Sequence, residues 1–356
     1  MRLLVAPDKF AGTLTAVEAA QAIATGWGRQ APDDELDLAP MSDGGPGFVH
    51  VLHAALGGSL EPVVVAGPFG DPVPAEILLD GDTAYVESAQ ACGLALSGTD
   101  RPERASTYGV GELVLAAREA GARRVVIGLG GSGTTDGGAG LLAALGATAD
   151  RPLDEGVGGL AGITRVDLPD AGVELVAASD VDNPLTGLFG AAKTFGPQKG
   201  LAEGRLPAVD GVLEELAAAA GRRVALEKGA GSAGGLGYAL LLLGGTRTPG
   251  LDLVAAAVGL ADRARASDLV ITGEGAFDFS SRAGKVPYGV ASIAADALRP
   301  CVALAGQVLV GSREMRALGI ESAYSLVETV GEERALADAA GALADLAARV
   351  ARTWSA

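Results

Sequence analysis

Thiols, histidines, aromatic rings, lysines and long apolar runs are all scarce in this chain, and each scarcity closes off a class of function. Cations are outnumbered so far that the formal net charge is −17, which repels phosphate over most of the surface and excludes sequence-independent binding to nucleic acid or to an anionic membrane. Any anionic substrate therefore needs a local positive pocket. The two cysteines, Cys92 and Cys301, lack metal-ligand spacing and cannot build a disulfide framework, so a reducing compartment and two core thiols are expected. His50 and His53 share one helical face with no third ligand type nearby and read as surface histidines, and no Ser-His-Asp or Cys-His set is visible. The longest apolar stretch, around Tyr238 to Leu243, falls far short of the ~20 residues that span a bilayer. The opening MRLLVAPD meets Pro7 and Asp8 too soon for a secretory segment, so a cytoplasmic protein is expected.

What is abundant is small and aliphatic. Residues of the hydrophobic class make up 49% of the 356, mostly Ala, Val and Leu, enough for a sizeable core and too many residues for one compact domain. Short apolar runs alternate with amphipathic stretches, the pattern of an α/β fold with parallel sheets. Strands are expected at Arg2 to Ala6 and Leu36 to Ala39, with helices at Thr15 to Gln30 and Gly47 to Leu56. The runs EPVVVAG and AEILLDGDTAYVES, split by Pro68, Gly70, Asp71 and Pro72, read as an antiparallel hairpin. Further strands are expected at Val125 to Leu129, Leu175 to Ala178, Leu269 to Thr272, Cys301 to Ala305 and Tyr324 to Val327, before a closing helix from about Glu332 to Trp354. The first and last units read as one sheet, so the middle is expected to be an inserted α/β domain: residues 1–58 with 240–356, against 59–239.

The chemistry concentrates after the strands. Asp8 and Lys9, then Asp43, then the run GLGGSGTTDGGAG from Gly128 to Gly140, then Asp180, Asp182 and Asn183, then Glu274 all stand at strand ends, where parallel sheets place their ligand crevice. The glycine run lies between a strand and a helix, so its backbone N–H groups and the hydroxyls of Ser132, Thr134 and Thr135 suit an anion. It also contains a G-x-G-x-x-G spacing with Asp150 at about the distance of a dinucleotide-binding acid. Against that reading, no β-branched strand precedes Asp150, and Asp136 would repel a pyrophosphate.

Only five lysines occur, and Lys9, Lys199 and Lys285 sit in turns, where a compact ammonium suits phosphate contact. Asp8, Asp43, Asp136, Asp180, Asp182, Glu274 and Asp278 are too many carboxylates for one site without cations, which points to Mg²⁺ shared with a nucleotide, though Asp43 and Asp136 could instead cap helices. Positioning, metal and carboxylates are the requirements of phosphoryl transfer.

Taken together, APDKF at Ala6, PMSDGGPG at Pro40, STYGVGEL at Ser106, GLGGSGTTDGGAG at Gly128, DVDNPLTG at Asp180, FGPQKG at Phe195, GAGSAGGLG at Gly229 and ITGEG at Ile271 resemble the type I glycerate kinase family, in the right order along nearly the whole chain. The resemblance implies ATP-dependent phosphorylation of D-glycerate to 2-phosphoglycerate, on a discontinuous flavodoxin-like domain with an inserted α/β domain and a cleft between them. On that basis Asp180 and Asp182 are expected to hold metal or accept the hydroxyl proton, and Lys199 and Lys285 to neutralise the transferring phosphoryl. Substrate and phosphate contacts are expected from Asp8, Lys9, Asp43, Gly130, Gly131, Ser132, Thr134, Asp136, Gly137, Asn183, Gln198, Glu274 and Asp278. The chain departs from the family at Ala11, where Lys is usual, at Pro46, where an acid is usual, and at Ala276-Phe277, usually Arg and an aliphatic residue. Another hydroxy acid, the 3-hydroxyl of glycerate or a non-catalytic binding role therefore stay open, as does the choice of monomer or homodimer.

Overall fold

The computed structural model describes residues 1–10, 12–278 and 285–355, so Ala11 lies outside the described residues. In chain order the strands are β1 (Arg2–Val5), β2 (Glu35–Leu38), β3 (Ser59–Ala66), β4 (Pro72–Asp80), β5 (Thr83–Glu87), β6 (Arg124–Gly128), β7 (Thr148–Ala149), β8 (Val166–Asp167), β9 (Glu174–Ala178), β10 (Thr246–Thr248), β11 (Leu269–Phe277), β12 (Cys301–Val308) and β13 (Ser322–Ser325). The chain divides into two units, one of Met1–Asp43, His50–Leu56 and Leu251–Ala356, the other of Gly44–Val49 and Gly57–Gly250.

The first unit is a parallel sheet in the order β13-β12-β11-β1-β2. Counted within the unit this is the flavodoxin-like order 2-1-3-4-5, whose switch point lies where β1 meets β11. Leu3, Val5, Leu269 and Ile271 send their side chains into one core with Ile23 and Trp27 of helix Ala16–Gln30 and Leu343, Leu346 and Val350 of helix Ala339–Trp354. The first of these helices starts where Thr15 and Glu18 form a reciprocal capping box, satisfying amide donors that have no intrahelical partner.

The second unit carries a mixed sheet in the order β10-β9-β6-β5-β4-β3, parallel from β10 to β5 and antiparallel beyond. The region read as one hairpin is a three-stranded meander, because Gly81, at φ +59°, turns the chain inside the second run. The domain limits also move. The switch back to the first unit falls at Leu251 rather than 240, since β10 pairs with β9. Gly44–Val49 joins the second unit, where the Gly44 carbonyl accepts from Gly130 N at 2.9 Å. Tyr324 to Val327 is strand only as far as Ser325, whose hydroxyl caps the helix that follows. The closing helix is interrupted at Asp338, whose carboxylate caps Ala339–Trp354 through Gly341 N. No described helix is long and apolar enough to cross a membrane.

Candidate functional site

In the first unit, a cavity of about 410 Å³ opens at the carboxyl ends of β1, β2, β11 and β12, and Asp8, Lys9, Asp43, Glu274, Asp278 and Lys285 all line it. Six of the expected residues thus share one cavity, Asp8, Lys9 and Asp43 of them placed there by the strand-end rule. Asp8 is 6% exposed, and burial pushes its carboxyl up to about 6, with the nearby charge of Asp43 adding to the shift and Lys9 opposing it. The Lys9 ammonium stands 3.6 Å from Asp8 Oδ1 and 3.7 Å from Asp43 Oδ1, so one cation serves two carboxylates. Glu274 is buried within β11, and Lys285 Nζ stands 3.8 Å from Asp278 Oδ1. Of the divergent pair, Ala276 lines the cavity while Phe277 is buried.

In the second unit, Gly130, Gly131, Ser132, Gln198 and Lys199 line a separate pocket of about 330 Å³. Gly130 cannot be replaced here: a Cβ on it would lie 2.4 Å from Gly45 Cα, so only a bare backbone lets the two turns meet. Lys199 is buried, and its Nζ donates to the Thr134 carbonyl at 2.6 Å. Burial pulls that ammonium down to about 8, while the Cys92 and Asp136 side chains resist the shift. The pocket therefore combines a bare glycine backbone, the Ser132 hydroxyl, the Gln198 amide and the Lys199 cation, groups suited to an anion. Cys92 lies against the same turn, and burial pushes its thiol up to about 12, as it does for Cys301, which keeps both thiols inert.

The other half of the glycine run is occupied by the protein itself. Asp136, expected among the anion-site residues, is fully buried, and its Oδ2 accepts from Thr107 N and Thr107 Oγ1, both at 2.8 Å, and from Gly140 N at 3.3 Å. Its Oδ1 accepts from Gly138 N at 3.1 Å. The anion at the start of helix Ala139–Ala144 is this carboxylate, so no external phosphate can use those donors. Gly137 and Thr134 are turned inward as well: Gly137 N donates to Gly234 O at 3.0 Å, and the Thr134 hydroxyl is buried 2.9 Å from Ser132 Oγ. The second glycine stretch makes this possible, since Gly234, at φ +71°, brings its backbone against Thr134 O, where a Cβ would lie 1.9 Å away. Substituting Asp136→Asn strands donors around an amide that cannot accept from all of them. Stability in urea is expected to fall by ~2 kcal/mol or more, and an unchanged unfolding midpoint would show that the carboxylate is dispensable.

Of the expected metal pair Asp180 and Asp182, the second has both carboxylate oxygens engaged by cations. Asp182 is exposed, its Oδ2 takes Lys228 Nζ at 3.1 Å and its Oδ1 takes Arg247 Nη2 at 2.7 Å. The hydrogen bond from Lys228 leads the causes that hold its carboxyl below the usual range. With both oxygens neutralised by cations, Asp182 does not fit a Mg²⁺ ligand, and no group of three or more His, Cys, Asp or Glu side chains suited to a metal occurs among the described residues. Asn183 holds its own loop, donating from Nδ2 to Phe189 O at 2.8 Å. Asp150 accepts from the backbone of Thr164 and Arg165, joining the segments beside β7 and β8 rather than reaching a ribose.

Residues 3–355 match the sequence model of the glycerate kinase family. The chain belongs to that family, and with it to the kinases. It is 39% identical over 350 residues to the glycerate kinase of Halalkalibacterium halodurans, covering 92% of this chain and 91% of that one. It is 38% identical to the glycerate 2-kinase of Escherichia coli, covering 93% and 92%. Its fold is similar to a crystal structure assigned as glycerate kinase 2 from Salmonella typhimurium LT2, with a TM-score of 0.81, 35% identity, and 99% of this chain and 98% of that one covered. Some residues of the cavity escape motif reading. Gln307 lines it from β12, which was expected to end at Ala305, two residues short. Leu326, Val327, Ala335 and Leu336 line it too, and nothing in an apolar helical pattern announces a site.

Proposed function

We propose that this chain transfers the γ-phosphoryl group of ATP to the 2-hydroxyl of D-glycerate, giving 2-phosphoglycerate in the cytoplasm. The observation that carries the reading is the switch-point cavity, where a buried carboxylate with a raised pKa, Asp8, adjoins the ammonium of Lys9, with Lys285 on the same wall. Phosphoryl transfer to an alcohol needs that pairing: an acceptor for the hydroxyl proton and fixed positive charge against the phosphoryl oxygens. Asp8 takes the proton, Asp43 and Glu274 orient the hydroxyls, and Lys9 and Lys285 neutralise the transferring group. Gly130, Gly131, Ser132, Gln198 and Lys199 hold an anionic group of the reactants. Mg²⁺ belongs to this reading as the counter-ion that ATP carries, supplying charge neutralisation to the phosphates, and Asp180 and Asp182 are not assigned to it. The glycerate specificity is supported by the family and its named relatives, and the 2-position by the relative named glycerate 2-kinase.

Phosphorus NMR of the product tests activity and position together. A phosphate on the 2-hydroxyl couples to one carbon-bound proton and gives a doublet, whereas one on the 3-hydroxyl couples to two and gives a triplet. A doublet is expected. A triplet moves the phosphate, and a strong preference for another hydroxy acid, for which Ala276 leaves room on the cavity wall, overturns the substrate. Binding of ATP with no ADP formed on any acid would make the chain a non-catalytic binding protein.

A further inference from the structure

The switch-point cavity has two chemically different ends. Around Asp8, Lys9, Glu274 and Lys285 it is charged, whereas Leu326, Val327, Ala335 and Leu336, which follow β13, give it an apolar wall. Glycerate is a three-carbon acid with three polar groups and no apolar face to bury, so it leaves that wall unexplained. Leu336, on helix Glu332–Ala337, is 63% exposed and lines the cavity beside Ala335, so this part of the wall is open to a ligand.

The distance across the sheet fits a nucleotide. Leu326 follows β13 directly, and Asp8 and Lys9 follow β1, three strands away in the order β13-β12-β11-β1. At the spacing of neighbouring strands this is about 14 Å, comparable to an extended nucleoside triphosphate from its base to its terminal phosphate. Gln307, half-buried on the intervening β12, and Glu332 at the rim offer an amide and a carboxylate to the edge of a base.

We infer that the wall formed by Leu326, Val327, Ala335 and Leu336 is the nucleobase subsite, so that ATP lies across the carboxyl ends of the first unit's sheet with its phosphates at Lys9 and Lys285. This rests on the kinase reading above for the identity of the ligand. The base gains contact and loses water on an apolar face, while the triphosphate is held by charge, so the two halves of ATP are bound by separable interactions.

Calorimetric titration of the whole chain with ATP and with inorganic tripolyphosphate separates them. In the double substitution Val327→Thr and Leu336→Ser, which changes a half-buried and an exposed side chain without adding charge, Kd for ATP is expected to rise about tenfold while Kd for tripolyphosphate stays unchanged. Equal weakening of both ligands, or an ATP affinity that does not move, overturns the subsite. If the wild type binds ATP with this selectivity yet phosphorylates no hydroxy acid, the base wall stands and the kinase reading fails. If glycerate is phosphorylated while the double variant treats ATP as the wild type does, the kinase reading stands and the base wall fails.

Discussion

Replacing Asp8 by Asn is expected to lower kcat about a thousandfold, within the range that a positioned proton acceptor contributes. The substitution keeps the shape and removes only the ability to take a proton. Its signature is the pH profile. Burial, reinforced by Asp43, pushes the Asp8 carboxyl up to about 6, above its ordinary value near 3.8, so the protonated form grows as pH falls through about 6. A proton acceptor must be ionised, and kcat/KM of the wild type should therefore drop on the acid side of about pH 6. In Asp8→Asn that limb should be absent from the residual activity. If the variant retains both wild-type activity and the limb, the hydroxyl proton goes elsewhere.

The second large effect is expected at Lys199. Its ammonium is buried, donates to Thr134 O at 2.6 Å and lines the pocket under Gly130, Gly131 and Ser132. Lys199→Met keeps the length and removes the charge and the donor, leaving a carbonyl without its partner and an anion without its cation. KM for the anionic substrate is expected to rise roughly a hundredfold, the cost of a charge-assisted hydrogen bond at a desolvated site. Because burial pulls the Lys199 ammonium down to about 8, the wild type should lose substrate affinity as pH rises through about 8, whereas Lys199→Met should bind equally weakly on both sides of that value. An unchanged KM, with only lowered thermal stability, would reduce Lys199 to a fastener of its turn.

How much of this was readable from the chain follows from where each residue's partners lie. Asp8, Lys9 and Asp43 line the cavity because parallel strands deliver whatever follows them to one edge, a rule that needs only the strand pattern, whereas Glu274 reaches it from inside β11, which runs on to Phe277. For Asp136 the capping alternative holds, since its carboxylate accepts from Gly138 N and Gly140 N, and what the sequence could not choose was settled by the Thr107 amide and hydroxyl of a distant segment. The partners of Asp182 are likewise distant in sequence, Lys228 in a turn and Arg247 on β10. The apolar wall of the cavity had no signal at all, because Leu326 and Ala335 obey the periodicity of ordinary core residues.

The sheet of the first unit is sewn together from the two ends of the chain, with Leu3 opposite Leu269 and Val5 opposite Ile271. A chain emerging from the ribosome holds β1 and β2 long before β11, the other neighbour of β1, exists, while everything from Gly57 to Gly250 is already out and able to form its own sheet. Closing the first unit then means joining segments separated by the whole insert, the kind of non-local pairing that sets the slow step of folding. The strand that leads to Asp8 is thus among the earliest made and the latest placed, which ties the appearance of activity during synthesis to the arrival of β11 and the cavity-lining residues after it, and not to the completion of the glycine-rich turns.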